Sequence, residues 1–322
     1  MRWILQCLVL ASVMLLTSCS GSDSVRIAMH HWLGYQTLPV AVNMGWIHRD
    51  LLTITTTPSA TESMQLMREG KVDAAALTLD EAIQLSSEGV NVAVIMAFDI
   101  SSGADVVLSR YDSATLKQMS HITIGLEKNA LGSLMLAKLI EQSGLDQDKF
   151  IISNIPADQH LDFWQQQQPD MLITYEPMAA TLIQQGAIRF MDTREIADTV
   201  FDVLVVNRSF AETHRDALAA IIRGQFIAVS NLMTQPDDTI YRLAQEAGME
   251  SSEVRQTLRG LILPGAGYNA RLMQGEPSHL QATATALSRL LYRQGMIGNE
   301  LHGPALVMPD ILLHVYHSMP EQ

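Results

Sequence analysis

The sequence predicts an α/β protein of two lobes, each a mostly parallel sheet flanked by helices, with a ligand cleft between the lobes. Three observations predict it. β-Branched runs alternate with capped helical segments from residue 25 onward, the alternation restarts near residue 105, and no linker or low-complexity tract divides the two rhythms. Strand–helix alternation is the pattern of parallel sheets covered by helices. Two such units joined by crossing strands, without a flexible tether, read as lobes facing a cleft.

The elements follow in order. Val25–Met29 reads as a strand. Thr37-Leu38-Pro39 opens a helix, with Thr as cap and Pro in the first turn, and Gly45 ends it. Leu52–Thr57 is a second strand. Ser59-Ala60-Thr61-Glu62 is a capping box before a helix that stops near Gly70. Asp73–Leu77 is a short strand, and Thr78-Leu79-Asp80-Glu81 is a second capping box, opening a helix that ends by Gly89. Val92–Phe98 is apolar at nearly every position, as expected of a strand covered on both faces. In the second rhythm, Asp105–Ser109, Ile122–Leu126, Phe150–Ile155 and Met171–Thr174 read as strands. Leu131–Ser143 reads as a helix closed by Gly144, and Pro177–Gln185 as a helix closed by Gly186. Phe201–Asn207 is a strand able to cross back to the first lobe. Beyond Ser209 the pattern is helical: Asp216–Met233, Thr239–Ala247, Ser251–Leu261 and Pro277–Gln294.

The N-terminus has the form of a bacterial lipoprotein signal. Arg2 supplies the positive start, Ile4 to Leu16 a mostly apolar run, and Leu16-Thr17-Ser18-Cys19 the closing box. The run falls short of the roughly 20 residues that span a bilayer. Cleavage would leave a lipid-modified (palmitate-bearing) Cys19 as the mature N-terminus and place the protein outside the cytoplasm, as a periplasmic or cell-envelope lipoprotein. Ser20 after the cysteine, in place of Asp, favours the outer membrane in a Gram-negative host. The expected organisation is therefore signal 1–18, lipidated N-terminus and tether 19–24, first lobe 25–102, second lobe 103–202, and a return to the first lobe with C-terminal helices over 203–322.

A hydrophobic fraction of 48% supports a sizeable core. The net charge of −13 argues against a nucleic-acid partner, which needs a basic stripe. The two cysteines are Cys7, lost with the signal, and Cys19, so the mature chain has no disulfide, thiol nucleophile or cysteine metal site. No second long apolar run is read, which leaves lipid as the membrane anchor.

Candidate functional residues fall in loops at the carboxyl ends of strands, where ligands bind in open α/β sheets and helix starts offer N–H donors. These are the His30-His31-Trp32-Leu33-Gly34-Tyr35 loop, Thr78 to Glu81, Asp99 to Asp105, Lys128 to Ser133, and Thr174-Tyr175-Glu176-Pro177. The residues expected to touch a ligand are Trp32, Tyr35, Thr78, Asp99, Ser101, Ser102, Asn129, Tyr175 and Glu176. Each also has a structural role open to it: Trp32 and Tyr35 as loop packing, Thr78 as a cap, Ser101 and Ser102 as turn caps, Asp99 and Asp105 as partners of hinge backbone, and Glu176 as a helix-start charge. His30 and His31 point to opposite faces of a strand, which opposes joint metal chelation. No metal or other cofactor is expected.

The same loops carry a family resemblance. Trp32-Leu33-Gly34-Tyr35-Gln36-Thr37-Leu38, Gly70-Lys71-Val72-Asp73-Ala74-Ala75 with Leu77-Thr78-Leu79-Asp80-Glu81, Asp99-Ile100-Ser101-Ser102-Gly103-Ala104-Asp105, and Tyr175-Glu176-Pro177 resemble, in order and spacing over roughly residues 25–207, the motifs of periplasmic solute-binding proteins of the nitrate/sulfonate/taurine and thiamine-precursor group (SsuA/THI5-like, NMT1-like). The C-terminal third matches only in helical character. The resemblance implies a type II periplasmic-binding fold with two crossovers, a hinged closure over a small-molecule solute, and delivery to an ABC permease and its ATPase by a monomeric binding protein. A ligand-sensing lipoprotein reporting to a membrane receptor is the alternative. An enzyme is the remote one: the cysteine-rich motif of the fungal thiamine-pyrimidine synthases is absent, and no nucleophile-plus-base pair is seen. The solute expected is a sulfonate, an aminosulfonate, or a heteroaromatic or amine type. The loops offer few cations, with Lys128 nearby, whereas Glu176 and Asp80 or Glu81 could pair an amine.

Overall fold

In the computed structural model, residues 24–301 and 306–319 are described. The signal segment and Cys19 lie outside them. Two sheets organise the chain. The first contains β1 (Val25–His30), β2 (Leu52–Thr57), β3 (Ala74–Thr78), β4 (Val92–Ser101), β10 (Phe201–Asn207) and β11 (Leu261–Ile262). Their order is β11-β4-β10-β3-β1-β2. The second contains β5 (Asp105–Ser109), β6 (Ile122–Leu126), β7 (Phe150–Asn154), β8 (Met171–Tyr175) and β9 (Ile188–Asp192), in the order β7-β6-β8-β5-β9.

Both sheets are more mixed than the alternation predicts. β1 runs parallel to β2 and β3, but β10 lies antiparallel between β3 and β4 and separates two strands that are neighbours in sequence. In the second sheet β6 is parallel to β7 and β8, whereas β5 is antiparallel to β8 and β9. The cause is the double crossing. Chain that leaves the first sheet at the end of β4 re-enters it at that same end, Phe201 beside Ile100, so β10 runs the other way. All ten residues of β4 are buried, consistent with its continuous apolar run. Burying each Val, Leu or Ile there is worth about 1.5–3 kcal/mol, which fixes the strand at the sheet interior.

The helices are α1 (Thr37–Asn43), α2 (Ala60–Arg68), α3 (Leu79–Ser87), α4 (Ser113–Gln118), α5 (Ala130–Ser143), α6 (His160–Gln166), α7 (Met178–Gln184), α8 (Arg208–Thr213), α9 (Arg215–Thr234), α10 (Pro236–Ala247), α11 (Ser251–Leu258), α12 (Ala266–Met273), α13 (His279–Arg293) and α14 (Asp310–Ser318). Five of these, α4, α6, α8, α12 and α14, and the strands β9 and β11, are short segments that the sequence pattern does not single out. Thr37 does not cap α1. A 3-10 turn fills Leu33–Gln36, so Thr37 is already helical, and its hydroxyl donates to Gly34 O at 3.1 Å. Ser59 does cap α2, accepting from Glu62 N at 3.3 Å.

The C-terminal helices brace the first sheet. Gln225 on α9 donates to Thr37 Oγ1 at 2.6 Å, and Asn269 on α12 clasps β4 through Ala97 N at 2.8 Å and Ala97 O at 3.0 Å. α13 packs on α3 of the first lobe and on α5 of the second. Among the described residues α9 is the one helix long and apolar enough to cross a membrane. It escaped the reading of long apolar runs because Arg215, Asp216 and Arg223 interrupt it. Its Leu218, Ile221, Ile222 and Phe226 are buried in the core instead.

Candidate functional site

Two crossings join the sheets, and they are stitched to one another. Between β4 and β5 only residues 102–104 intervene; between β9 and β10 the chain returns through 193–200. Thr193 Oγ1 takes the Gly103 amide and bonds the Ser101 hydroxyl, each at 2.7 Å, and Ser101 Oγ accepts from Asp105 N at 3.1 Å. Ser102 N donates to Gly260 O at 2.7 Å. Gly103 has φ +110, a conformation that L side chains rarely adopt, so this sharp crossing needs glycine. Ser101 and Ser102, expected as ligand contacts, are thus placed in the hinge.

The tryptophan–tyrosine loop and the aspartate crossover, far apart in sequence, form one buried network. Trp32 Nε1 donates to Asp99 Oδ2 at 3.0 Å, and Tyr35 OH donates to Asp202. Asp99 and Asp202 stand opposite each other on β4 and β10. Burial pushes Asp99 up to about 7 against the pull of the Trp32 bond, and burial with the charge of Asp99 pushes Asp202 well above the ordinary carboxylate range. The pair therefore retains a proton near neutral pH. Gly34 is needed here for room: a Cβ would lie 1.8 Å from Asp99 Oδ2. Trp32 meets Tyr175 of the other lobe edge to face, 5.4 Å between centroids. Trp32 and Tyr35 support the site from behind rather than wall it.

In front of this network lies a cavity of about 40 Å³ between the lobes, at the carboxyl ends of β1, β3, β6 and β8. His30, Thr78 and Glu81 line it from the first lobe. Asp105, Glu127, Asn129, His160, Thr174 and Tyr175 line it from the second. Of the expected contacts it therefore collects Thr78, Asn129 and Tyr175. Thr78 and Glu81 form the capping box of α3, in which Glu81 Oε2 accepts from Thr78 N at 2.9 Å. The box is looser on its other side, where the Thr78 hydroxyl makes no cap hydrogen bond. Asn129 caps α5 by accepting from Gly132 N at 2.8 Å, and its amide donates across the cleft to Glu81 Oε1 at 2.8 Å. Thr61 Oγ1 to Glu127 Oε1, at 2.6 Å, is a second bond between lobes. The lobes are closed on one another.

The cavity is acidic. Burial pushes Asp105 up to about 6 and raises Glu127; burial together with the charge of Asp80 raises Glu81 well above its ordinary value. Asp80, wholly buried behind the box, is pushed by burial up to about 7. Burial lowers His30 and His160 to about 4, so both are neutral near pH 7. His160 Nδ1 bonds Thr174 Oγ1 at 3.0 Å and Nε2 bonds Ile155 O at 3.2 Å, which makes Nε2 the donor. Among the described residues lining the cavity, none is Lys or Arg. Lys128 is exposed and stands outside it.

Glu176 belongs elsewhere. It sits on the hinge side, where Arg189 Nη2 donates to its Oε1 at 2.7 Å and Ala180 N to its Oε2 at 2.9 Å. Arg189 also donates to Gly103 O at 3.0 Å, so the arginine ties Glu176 to the crossing. Both oxygens expected to read an amine are engaged. The residues that reasoning on sequence missed are Asp202, Glu127 and His160; Thr174 stood in a candidate loop without being singled out as a contact. Asp202 stood in a run read only as a strand, and Glu127 and His160 lay at a strand end and a helix start. Among the described residues no cluster of His, Cys, Asp or Glu has the arrangement of a metal site.

Comparison with known proteins places this geometry. The NMT1-like family matches residues 20–245. No curated protein matches the chain by sequence. Among solved structures, the ligand-binding component of an ABC-type import system from Staphylococcus aureus, with zinc bound, is similar at a TM-score of 0.76, with 11% identity, over 91% of this chain and 98% of that one. The alkanesulfonate-binding protein SsuA from Xanthomonas axonopodis pv. citri bound to MOPS gives 0.71 and 16%, over 89% and 98%. The periplasmic nitrate-binding protein NrtA from Synechocystis PCC 6803 gives 0.72 and 9%, over 93% and 89%. At these identities the likeness is one of fold.

Proposed function

The chain belongs to the NMT1-like family, and from that premise we propose that it is a solute-binding protein that captures a small organic molecule between its lobes and hands it to an ABC permease. The observation that carries the reading is the cavity lined from both lobes at strand carboxyl ends, in front of a stitched double crossing. Such a site changes shape when the lobes rotate about the crossings, and closure removes water from the polar groups inside. At about 40 Å³ the closed cavity has room for two or three waters or the head group of a small solute, so loading requires opening. The solute is a sulfonate, aminosulfonate, or heteroaromatic or amine compound.

The protein acts outside the cytoplasm as a lipoprotein held through Cys19, in the outer membrane if the host is Gram-negative, where Ser20 follows the cysteine. The lobes divide at the crossings near residues 102 and 202, with the C-terminal helices returning to the first lobe.

A thermal-shift screen of the protein lacking residues 1–19 tests the capture reading. The panel holds sulfonates, nitrate, aminosulfonates, pyrimidines and simple amines. A solute at 100 times its dissociation constant adds about 2.7 kcal/mol. One compound raising the melting temperature by several degrees is the expected result; a flat panel counts against capture.

A further inference from the structure

We infer that the solute is held through a primary ammonium group, bound by Asp105, Thr78 and His30 and surrounded by Glu81 and Glu127; the inference rests on the solute-capture reading and names its chemical class. Three residues lining the cavity each carry a buried side-chain atom without a hydrogen-bond partner among the described residues: Asp105 Oδ2, Thr78 Oγ1 and His30 Nδ1. All three residues are more than nine-tenths buried, with exposures of 4%, 4% and 8%. Among the described residues eight buried side-chain atoms are unpartnered, on Asp80, Gln84, Asp99 and Gln225 as well, but these three belong to residues that line one cavity. Leaving such an atom unpaired costs about 1–3 kcal/mol. Three atoms left open on one cavity point to a ligand that completes them.

The donor count identifies that ligand. A carboxylate oxygen and a hydroxyl oxygen accept hydrogen bonds, and a neutral imidazole accepts through one nitrogen. Burial holds His30 neutral, so with its hydrogen on Nε2 its Nδ1 is an acceptor. A primary ammonium brings three N–H donors and no acceptor, which matches three acceptors.

An anion fits poorly. It would face Asp105, Glu81 and Glu127 with no Lys or Arg among the described lining residues. Two of the amides at the helix starts beside the cavity are already taken, Thr78 N by Glu81 and Gly132 N by Asn129. A cation also relieves the burial of the acids, which without a counter-charge hold their protons more tightly than usual.

The test is isothermal titration of the mature protein with ethanolamine and propylamine, against tetramethylammonium, methanesulfonate and nitrate. Tetramethylammonium carries the charge without N–H donors and so separates field from hydrogen bonding. The expected result is binding of a primary amine at least tenfold tighter than tetramethylammonium and both anions, with Asp105→Asn weakening it at least tenfold. If Asp105→Asn does not fold, the ranking of probes on the unaltered protein decides alone. Methanesulfonate or nitrate binding more tightly than the amines overturns the ammonium inference and leaves solute capture standing. Tetramethylammonium matching the amines overturns the three-acceptor cradle. Silence from all five overturns the inference and counts against capture as well.

Discussion

Two regions of this molecule gather buried carboxylates, and they treat them oppositely. On the hinge side, Glu176 and Asp192 meet Arg189 and Arg194: Arg194 Nη2 lies 2.5 Å from Asp192 Oδ2, and Arg189 Nη2 lies 2.7 Å from Glu176 Oε1. Burial alone would raise Asp192, but the Arg194 hydrogen bonds outweigh it and hold the group below its ordinary value. In the cleft and behind it, Asp80, Asp99, Asp105, Glu81 and Asp202 are paired with no Lys or Arg among the described residues, and all are raised. The lesson concerns where charge is completed by the chain and where it is left for something else. Arginine pairing completes the charges on the hinge side within the chain, whereas acids without such a partner leave the cleft unfinished until a ligand arrives.

The largest effect should come from breaking the paired side. Arg189→Ala strips Glu176, whose side chain is 5% exposed, of its cation. Removing one partner of a buried pair costs about 3–5 kcal/mol. Arg189 is itself 28% exposed and water replaces part of it, so we expect about 2–3 kcal/mol. Chemical denaturation measures this, and the ranking of bound solutes should not move. A loss below about 0.5 kcal/mol, the size of an ordinary surface change, would mean the hinge is not held this way.

A smaller effect sharpens the unpaired side. Asp80 and Asp99 titrate at about 7 and Asp105 at about 6, all above the ordinary 3.8. Groups raised in the folded state contribute stability that is complete below 3.8 and is lost as pH rises through 6 to 7. His30 and His160, lowered to about 4 from 6.5, act oppositely: their contribution is complete above 6.5 and is lost as pH falls through 4. Above 6.5 the carboxylates therefore dominate. The melting temperature of the solute-free protein should fall between about pH 6 and pH 8, and Asp99→Asn should flatten the fall. A melting temperature that climbs over that interval contradicts the unpaired state of these acids.

The smallest effect is expected at the rim. Thr61→Ala removes the bond to Glu127 that joins the lobes. Thr61 is exposed, so stability should change by less than about 0.5 kcal/mol. The opening of the lobes, followed by small-angle scattering without solute, should nonetheless increase slightly.

Much of this was legible in the sequence. Runs rich in β-branched residues placed β1, β2, β5 and β6 within a residue of their limits, since strand propensity is local. The capping residues Ser59 and Thr78 marked two helix starts for the same reason. The family motifs were legible too, and the structure supplies their cause: Trp32 with Asp99, Gly34 against Asp99, and Tyr35 with Asp202 are contacts between the motif loops and the crossing strands.

What local chemistry could not decide was partnership across the fold. Nothing near Glu176 in sequence announces that Arg189 will take its carboxylate, because the two meet only where β8, β5 and β9 lie side by side. Nothing near Asp202 shows that it faces Asp99, because that pairing is made by a strand returning after a hundred residues in the other lobe. The sequence by itself determined the order of elements, their caps and the loops that reach the cleft, all set by interactions a few residues long. Only the tertiary structure decided which of the acids are neutralised and which stay open, because the charge state of a buried carboxylate depends on what the fold packs against it.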